Sequence, residues 1–190
     1  MGSEYKYCIC CGEDVPYNRV VRNEREELTC LYCGFTLDVK NLWEEHEQVV
    51  SGIALIAEDS ETTRRLIEEV IRSKGLSDEI ISVEDGLKLT SEFSRLIKEK
   101  RRVEFMVIDL NMPVMDGLTA ARTIRAIESG AGKEHVPIVF FSAVKADDNL
   151  KKQMGMLAPA HYMNKGSDAD PEALSGRIEG LINFILTTYA

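Results

Sequence analysis

Acidic, hydroxyl and amino side chains follow four short apolar runs of this chain. Glu58 and Asp59 follow IALIA, Asp109 closes FMVID, Ser142 closes PIVFFS, and Lys165 follows AHYMN. Each run has the length and composition of a buried β-strand, so each polar residue should surface where its strand ends. Carboxylates that lie close together repel one another, and a hard divalent cation with oxygen ligands relieves that repulsion. The pattern therefore predicts a Mg²⁺ site that can also receive a phosphoryl group.

The residue types favour different roles within such a site. Asp109 can act as a nucleophile, since a carboxylate that attacks a phosphoryl group forms an aspartyl phosphate. Lys165 can neutralise the charge that develops during transfer, and the Ser142 hydroxyl can donate a hydrogen bond to a phosphoryl oxygen. Taken singly, the strand-end acids could be helix caps and the lysine a solvated surface residue. Their joint placement favours the catalytic interpretation.

Five strand-helix units are predicted to position these residues. From Ile53 onward, apolar runs alternate with segments of helical periodicity, and the segments that hold the runs are IALIAED, EIISVEDG, FMVIDL, PIVFFSA and AHYMNKG. Runs that are apolar on both faces are typical of a parallel sheet covered by helices on both sides. Right-handed crossovers then bring the carboxyl ends of the strands to one edge, where ligands bind. The sequence predicts an α/β fold with a five-stranded, doubly wound parallel sheet.

The five cysteines all lie within the first 33 residues. Cys8, Cys11, Cys30 and Cys33 form two Cys-x-x-Cys pairs, each followed by a glycine. Thiolates at this spacing can bind one tetrahedral Zn²⁺, and a glycine with positive φ lets backbone N–H groups point at sulfur. Cys10 is adjacent to Cys11 and is predicted to be a spare thiol. A redox-active Cys-x-x-Cys is the alternative, but it needs only one pair and a strand-helix context.

Composition changes along the chain and defines the predicted domains. Residues 1–38 form a small zinc-ribbon-like β module, residues 39–50 a linker, and residues 51–190 the α/β domain. The net charge is −9, and residues 1–40 hold five Lys/Arg against seven Asp/Glu, a charge balance that argues against nucleic-acid binding. The module is instead predicted to bind a protein partner or to self-associate. Reduced cysteines and the lack of a long apolar run favour a cytoplasmic protein without membrane contact.

These residues resemble the receiver domain of two-component response regulators, over residues of about 51–187. The segment DLNMPVMDG, Asp109 to Gly117, resembles the phosphoacceptor loop of that family. The pair Glu58-Asp59 is similar to the family's acidic pair, with Asp59 the direct Mg²⁺ ligand and Glu58 acting through water. The resemblance assigns four further roles. The Asn111 carbonyl would be another Mg²⁺ ligand, and Ser142 would be the family's hydroxyl residue. Lys165 would be its lysine, and Tyr162 its aromatic switch.

The resemblance implies a flavodoxin-like sheet of strand order 2-1-3-4-5 and a phosphorylation switch. A histidine kinase or phosphotransfer protein would phosphorylate Asp109, and the domain would catalyse the transfer and the later hydrolysis without being an enzyme in the usual sense. The fourth helix, fifth strand and fifth helix would form the output face. Gly166 replaces the proline that usually follows the lysine, and this favours a trans bond or a glycine-adapted loop beside Lys165.

Two other functions remain open at this point. A receiver-like scaffold would bind partners without phosphorylation, and this function is favoured if Gly166 misplaces Lys165. A phosphohydrolase with an aspartate nucleophile shares the strand-end acid, the hydroxyl and the lysine. That superfamily needs an acid two residues after the nucleophile, where this chain has Asn111.

Overall fold

The computed structural model describes residues 5–22, 25–37, 52–143, 145–166 and 171–189. These residues form a three-stranded antiparallel sheet followed by a five-stranded parallel sheet with helices. The predicted linker, residues 39–50, lies outside the described residues. Among the described helices, none combines the length and the apolar character that crossing a membrane requires.

The N-terminal sheet consists of β1 (Tyr5–Cys8), β2 (Glu13–Arg22) and β3 (Arg25–Cys30). The outer strands β1 and β3 both pair with β2 in antiparallel register. One Cys-x-x-Cys pair begins at the last residue of β1, and the other begins at the last residue of β3. The two turns that carry these pairs lie close together. The prediction of a small N-terminal β module is confirmed. We call residues 5–22 and 25–37 the cysteine module.

Five parallel strands form the larger sheet. They are β4 (Ile53–Ala57), β5 (Glu79–Val83), β6 (Val103–Asp109), β7 (Ile138–Ser142) and β8 (Ala160–Asn164). Their order is β5-β4-β6-β7-β8, which is 2-1-3-4-5 when counted within this sheet. The predicted flavodoxin-like topology is therefore confirmed. The carboxyl ends of β4, β6, β7 and β8 all reach the edge where such sheets bind ligands.

Helices cover both faces of the parallel sheet. They are α1 (Glu61–Ser73), α2 (Gly86–Lys98), α3 (Gly117–Gly130), α4 (Asp148–Gly155) and α5 (Pro171–Tyr189). The first four begin at a polar cap whose side chain accepts a hydrogen bond from the amide three residues later, and these caps are Ser60, Asp85, Asp116 and Asp147. Helix α1 contacts α5 on one face, and α2 contacts α3 on the other.

Each face of the sheet has its own apolar core. The core under α2 and α3 contains Phe93 and Phe140, both fully buried. The core under α1 and α5 continues into Val15 and Phe35 of the cysteine module. Burial of each large apolar side chain contributes about 1.5–3 kcal/mol. The module and the α/β domain therefore stabilise each other through a shared core.

An aromatic cluster lies where the cysteine module meets β8 and α5. The Phe35 and Phe184 rings pack edge to face with centroids 5.0 Å apart, and the His161 ring lies 5.4 Å from Phe184. His161 Nε2 lies 3.2 Å from the Tyr189 hydroxyl. Burial lowers the pKa of His161 to about 4. The folded protein thus keeps this ring neutral at pH values where an unfolded chain would protonate it.

We expect the free energy of unfolding to fall as the pH is lowered from 7 to 5. The unfolded chain takes up a proton on His161 near pH 6.5, whereas the folded chain takes it up only near pH 4. The contribution of neutral His161 to the free energy of unfolding is therefore fully present above about pH 6.5. At pH 5, the proton uptake of the unfolded chain lowers the free energy of unfolding by about 2 kcal/mol. Urea unfolding at both pH values measures this loss as the difference between the wild type and His161→Gln.

The matched control is His135→Gln, because His135 is exposed. That variant should retain the pH dependence of the wild type. If His161→Gln also loses stability as steeply as the wild type does, the prediction that the folded protein keeps the half-buried His161 ring neutral is contradicted.

Candidate functional site

Three carboxylates converge at the carboxyl edge of the parallel sheet. Glu58 and Asp59 directly follow β4, and Asp109 is the last residue of the neighbouring β6. One carboxylate oxygen from each residue lies within 4.8 Å of the others. Glu58 and Asp109 are 1% and 5% exposed, whereas Asp59 is exposed. The structure thus brings together the acids that the sequence placed at separate strand ends.

The Lys165 ammonium lies between two of these carboxylates. Its Nζ is 2.8 Å from Asp109 Oδ2, 2.7 Å from Glu58 Oε2 and 3.0 Å from Glu58 Oε1. Burial raises the pKa of Glu58, and the hydrogen bond and charge of Lys165 oppose that rise. Charge-assisted hydrogen bonds are stronger than neutral ones, so this lysine is held on the Asp109 carboxylate.

Helix capping does not explain the acidic pair. The cap of α1 is Ser60, whose hydroxyl accepts a hydrogen bond from the Thr63 amide. Glu58 Oε1 accepts from the Ser60 amide at 3.3 Å. Glu58 Oε2 is buried and, despite its closeness to Lys165 Nζ, accepts no hydrogen bond of ordinary geometry from the described residues. A metal ion, or a water bound to it, would compete with Lys165 for this oxygen.

Close backbone packing shapes the loop after Asp109. The Asn111 amide donates to Asp109 Oδ1 at 3.2 Å, and the Gly117 amide donates to the Leu110 carbonyl at 3.0 Å. A Cβ on Gly117 would lie 2.1 Å from the Asp109 carbonyl oxygen, so only glycine fits there. The two oxygens of the Asp109 carboxylate therefore have different partners, the Asn111 amide on Oδ1 and Lys165 on Oδ2.

The residues present at this edge fit a Mg²⁺ ion. Glu58, Asp59 and Asp109 supply three carboxylates against the single ammonium of Lys165, which leaves an excess of negative charge. Mg²⁺ takes one or two carboxylates and retains several waters. The exposed position of Asp59 leaves the solvent side of the cluster open to water. Asn111, whose backbone carbonyl is predicted to be a further Mg²⁺ ligand, lies two residues after Asp109 in the same loop.

Ser142 and Tyr162 lie on the two strands beyond β6. Ser142 ends β7, is fully buried, and stands next to Phe141, which is paired with Asp109 across the sheet. Tyr162 on β8 is 3% exposed, and its hydroxyl accepts a hydrogen bond from Asn164 Nδ2 at 2.9 Å. Ser142 thus borders the acidic cluster, while the Tyr162 side chain is directed into the protein.

The loop after Lys165 is adapted to glycine. Gly166 adopts a φ of 80°, which glycine tolerates and proline cannot adopt. Its amide donates to Asn164 Oδ1 at 2.7 Å. Among the described residues the cis peptide bond is Ala158–Pro159, so the bond after Lys165 is trans. The glycine-adapted loop expected from the sequence is present, and Lys165 still reaches Asp109.

Four thiols of the cysteine module form one cluster. The sulfur atoms of Cys8, Cys11, Cys30 and Cys33 all lie within 4.8 Å of one another. The Sγ–Sγ distances are 3.5 Å between Cys8 and Cys33 and 3.8 Å between Cys11 and Cys30. A tetrahedral ion with Zn–S bonds of about 2.3 Å holds its sulfur ligands about 3.8 Å apart, whereas a disulfide needs about 2.05 Å. The cluster therefore fits one tetrahedral metal ion.

Backbone amides donate to two of these sulfur atoms, those of Cys8 and Cys30, but the donors are not the amides of the glycines. Gly12 and Gly34 have the expected positive φ of 74° and 76°, yet their amides donate to the carbonyls of Cys8 and Cys30. The amides that donate to sulfur are those of Cys11, to Cys8 Sγ at 3.4 Å, and of Tyr32 and Cys33, to Cys30 Sγ at 3.3 and 3.4 Å. The glycines shape the turns, and their neighbours stabilise the thiolates.

Cys10 contributes a contact that the sequence did not reveal. Its thiol is fully buried against the thiols of Cys8 and Cys33 but is not one of the four clustered sulfurs, and burial raises its pKa. Its carbonyl accepts hydrogen bonds from the Asn164 amide at 2.7 Å and from Arg177 Nη2 at 3.0 Å. Asn164 and Arg177 were not predicted as site residues, because no local motif reports contacts between such distant parts of a chain.

Comparison with known protein families agrees with this geometry. A family model for the response regulator receiver domain matches residues 54–178. The chain is 26% identical over 141 residues to the chemotaxis protein CheV3 of Helicobacter pylori, a match covering 73% of this chain and 44% of CheV3. It is 30% identical over 89 residues to the chemotaxis protein CheY-3 of Vibrio cholerae, covering 47% of this chain and 62% of CheY-3. The matches thus span less than two thirds of these relatives.

Solved structures share the fold of the α/β domain. The phosphorylated cyanobacterial phytochrome response regulator RcpA matches with a TM-score of 0.60 and 22% identity, covering 74% of this chain and 98% of RcpA. The receiver domain of the histidine kinase CKI1 from Arabidopsis thaliana, complexed with Mg²⁺ and BeF₃⁻, matches with a TM-score of 0.53 and 19% identity, covering 67% and 87%. At these identities the similarity establishes the fold alone.

Replacement of Cys11 by alanine is expected to abolish tight metal binding by the module, because one of four ligands is lost. Cys10→Ala is the matched control and should retain one Zn²⁺ per chain, because the Cys10 sulfur is not among the four that lie within 4.8 Å of one another. Native mass spectrometry of both variants measures the bound zinc. Zinc retained by Cys11→Ala, or lost from a folded Cys10→Ala, would contradict this set of ligands.

Proposed function

Since this chain belongs to the response regulator receiver domain family, we propose that it is a phosphorylation-dependent signalling switch with Asp109 as the phosphoryl acceptor. The donor is a histidine kinase or a phosphotransfer protein. The observation that carries the proposal is the Asp109 carboxylate, which is buried at the sheet edge with Oδ2 2.8 Å from Lys165 Nζ and with two further acids close by. Phosphoryl transfer depends mainly on positioning and charge neutralisation, and this arrangement supports both.

In the transfer step, an Asp109 carboxylate oxygen forms a bond to phosphorus while the bond from phosphorus to the donor nitrogen breaks. The donor imidazole keeps the electron pair of the broken bond. Lys165 donates a hydrogen bond to one phosphoryl oxygen, and the Ser142 hydroxyl donates to another. Mg²⁺ held by Glu58, Asp59, Asp109 and the Asn111 carbonyl would neutralise negative charge on the phosphoryl oxygens. Attack of water on phosphorus later releases inorganic phosphate and restores the carboxylate.

The signal originates in the change of charge at Asp109. The phosphoryl group carries roughly −1.5 to −2 charge near neutral pH and replaces the −1 of the carboxylate, so the charge at this position changes by about −0.5 to −1. A shift of a two-state equilibrium from 1:99 to 99:1 requires a preference of about 5.5 kcal/mol. New contacts of the phosphoryl group with Lys165 and Ser142 supply that preference, and Lys165 leaves Glu58 to make them. Tyr162, on the strand that ends next to Lys165, is the proposed switch side chain.

We also propose that the cysteine module binds Zn²⁺ and serves in protein interaction. The spacing of the four sulfur atoms supports zinc, and the small excess of acidic residues in residues 1–40 supports a protein partner or self-association over nucleic acid. The domain division into residues 1–38, 39–50 and 51–190 and a cytoplasmic location belong to the same proposal.

The geometry gives less support to the two alternative functions. A scaffold without phosphorylation required a misplaced Lys165, but Nζ lies 2.8 Å from Asp109 Oδ2. A phosphohydrolase requires an acid at position 111. Asn111 stands there instead, and its amide donates to Asp109 Oδ1.

Asp109→Asn is expected to abolish phosphorylation by acetyl phosphate in the presence of Mg²⁺, because an amide lacks the nucleophilic carboxylate. The matched control is Asp78→Asn, since Asp78 is exposed and precedes β5 at the opposite edge of the sheet. Intact-mass spectrometry should find one added phosphoryl group in the wild type and in the control, and none in Asp109→Asn. An equal mass gain in Asp109→Asn would place the acceptor elsewhere.

Lys165→Met is expected to slow phosphorylation at least about 100-fold, because a donor to the phosphoryl group is lost. The same change should tighten Mg²⁺ binding about tenfold, since the ammonium no longer competes for Glu58 and Asp109. Titration calorimetry with Mg²⁺ and phosphorylation kinetics measure the two effects.

The control for the lysine is Lys98→Met, because Lys98 is exposed at the C-terminal end of α2. It should match the wild type in both measurements. Unchanged Mg²⁺ affinity in Lys165→Met would show that Lys165 does not hold the two carboxylates in solution.

A further inference from the structure

Arg177 of α5 connects the cysteine module to β8 through backbone carbonyl groups. Its Nε donates to the Ile9 carbonyl at 2.6 Å, and its Nη2 donates to the carbonyls of Cys10 at 3.0 Å and Asn164 at 2.6 Å. Arg177 is 7% exposed. A guanidinium keeps its charge throughout the physiological pH range, so its burial requires these charge-assisted bonds. Arg177 therefore links two separate parts of the chain.

The approach of Arg177 to the module depends on Gly12. A Cβ at Gly12 would lie 2.6 Å from Arg177 Nη1, and Gly12 has a φ of 74°. The turn that ends at Gly12 carries Cys8 and Cys11, two of the four thiols in the cluster. Four thiolates around one Zn²⁺ carry a net negative charge, which a guanidinium beside the turn offsets. The charge of Arg177 thus suits a metal-loaded module.

The same turn completes the outer edge of β8, which is an edge strand of the parallel sheet. An edge strand leaves alternate amides without a partner strand. The Asn164 amide donates outward to the Cys10 carbonyl at 2.7 Å, whereas the Lys165 amide donates to the Ser142 carbonyl of β7 at 2.7 Å. The cysteine module therefore supplies a hydrogen bond at the residue directly before Lys165.

The Asn164 side chain fixes the residues around Lys165. Its Nδ2 donates to the Tyr162 hydroxyl at 2.9 Å, and its Oδ1 accepts from the Gly166 amide at 2.7 Å. Asn164 thus contacts the module through its backbone amide and Arg177 through its carbonyl. Its side chain contacts Tyr162 and Gly166, which precede and follow Lys165 in the sequence.

We propose that Arg177 is a positioning residue that couples metal binding by the cysteine module to phosphoryl binding at Asp109. The inference rests on the proposed function. Loss of the metal loosens the turn that holds Asn164, and loss of Arg177 removes three hydrogen bonds between that turn, α5 and β8. Either change disturbs Lys165, whose Nζ contacts Asp109. Coupling between two ligands is reciprocal, so a phosphoryl analogue on Asp109 must strengthen Zn²⁺ binding by the factor by which Zn²⁺ strengthens analogue binding.

The test measures two affinities in the full chain. The first is the affinity for beryllofluoride at saturating Mg²⁺, followed by ¹⁹F NMR. The second is the affinity for Zn²⁺, measured by competition with a chelating dye without and with beryllofluoride. In the wild type, beryllofluoride is expected to raise Zn²⁺ affinity about tenfold. In Arg177→Met this increase should vanish, and beryllofluoride affinity should fall about tenfold.

Two further variants separate positioning from stability. Arg177→Lys keeps the charge but cannot reach three carbonyls, and it should restore part of the coupling. Arg95→Met is the matched control, because Arg95 is exposed on α2 and pairs with Glu92 and Glu99. It should behave as the wild type. An arginine with a purely structural role would change Zn²⁺ affinity by the same factor with and without beryllofluoride.

The outcomes distinguish this inference from the proposed function. A wild type that binds beryllofluoride and Zn²⁺ independently would overturn the coupling and leave the proposed function intact. Full coupling in a folded Arg177→Met would overturn the role of Arg177. A wild type that binds no beryllofluoride would refute the proposed function and, with it, this inference. If Arg177→Met does not fold, the wild-type reciprocity and Arg177→Lys still decide the question.

Discussion

The site depends on one ammonium group held between two buried carboxylates. Lys165 Nζ lies 2.8 Å from Asp109 Oδ2 and 2.7 Å from Glu58 Oε2, so a single cation offsets the repulsion between two acids that have little access to water. Parallel strands make the contact possible, since they bring the ends of β4, β6 and β8 to one edge. A divalent cation and a phosphoryl group would both compete with Lys165 for the two carboxylates, and under the proposed function that competition would give the site two states.

The support for Lys165 comes from outside the parallel sheet. The edge of β8 is completed by the Cys10 carbonyl, and Arg177 joins the same turn to Asn164. The core under α1 and α5 extends into the cysteine module, so the module is packed on the face formed by β8 and α5. That face includes two of the three elements that the family resemblance assigned to output. The four-thiol cluster and the Asp109 cluster are therefore joined through one strand end by short, buried contacts.

Local patterns in the sequence were sufficient for the fold and for most of the candidate site. Apolar runs specify buried strands, and Glu58, Asp109 and Lys165 follow such runs, so the topology alone brings them together. The thiol cluster was equally accessible, because Cys-x-x-Cys spacing is a local property. The bond from Lys165 to Glu58 and the contacts of Arg177 with Ile9 and Cys10 were not accessible. They depend on side-chain packing between segments more than 100 residues apart, which neither composition nor periodicity records.

A crystal structure of the full chain with Mg²⁺ and beryllofluoride tests the central interaction most directly. We expect beryllium bonded to an Asp109 oxygen, Mg²⁺ beside Asp59 and Asp109, and Lys165 Nζ moved from Glu58 onto a fluoride, with the Asn164 amide still on the Cys10 carbonyl. An unmodified Asp109 at saturating beryllofluoride, with Lys165 still between Asp109 and Glu58, would contradict the assignment of this cluster as a phosphoryl-accepting site.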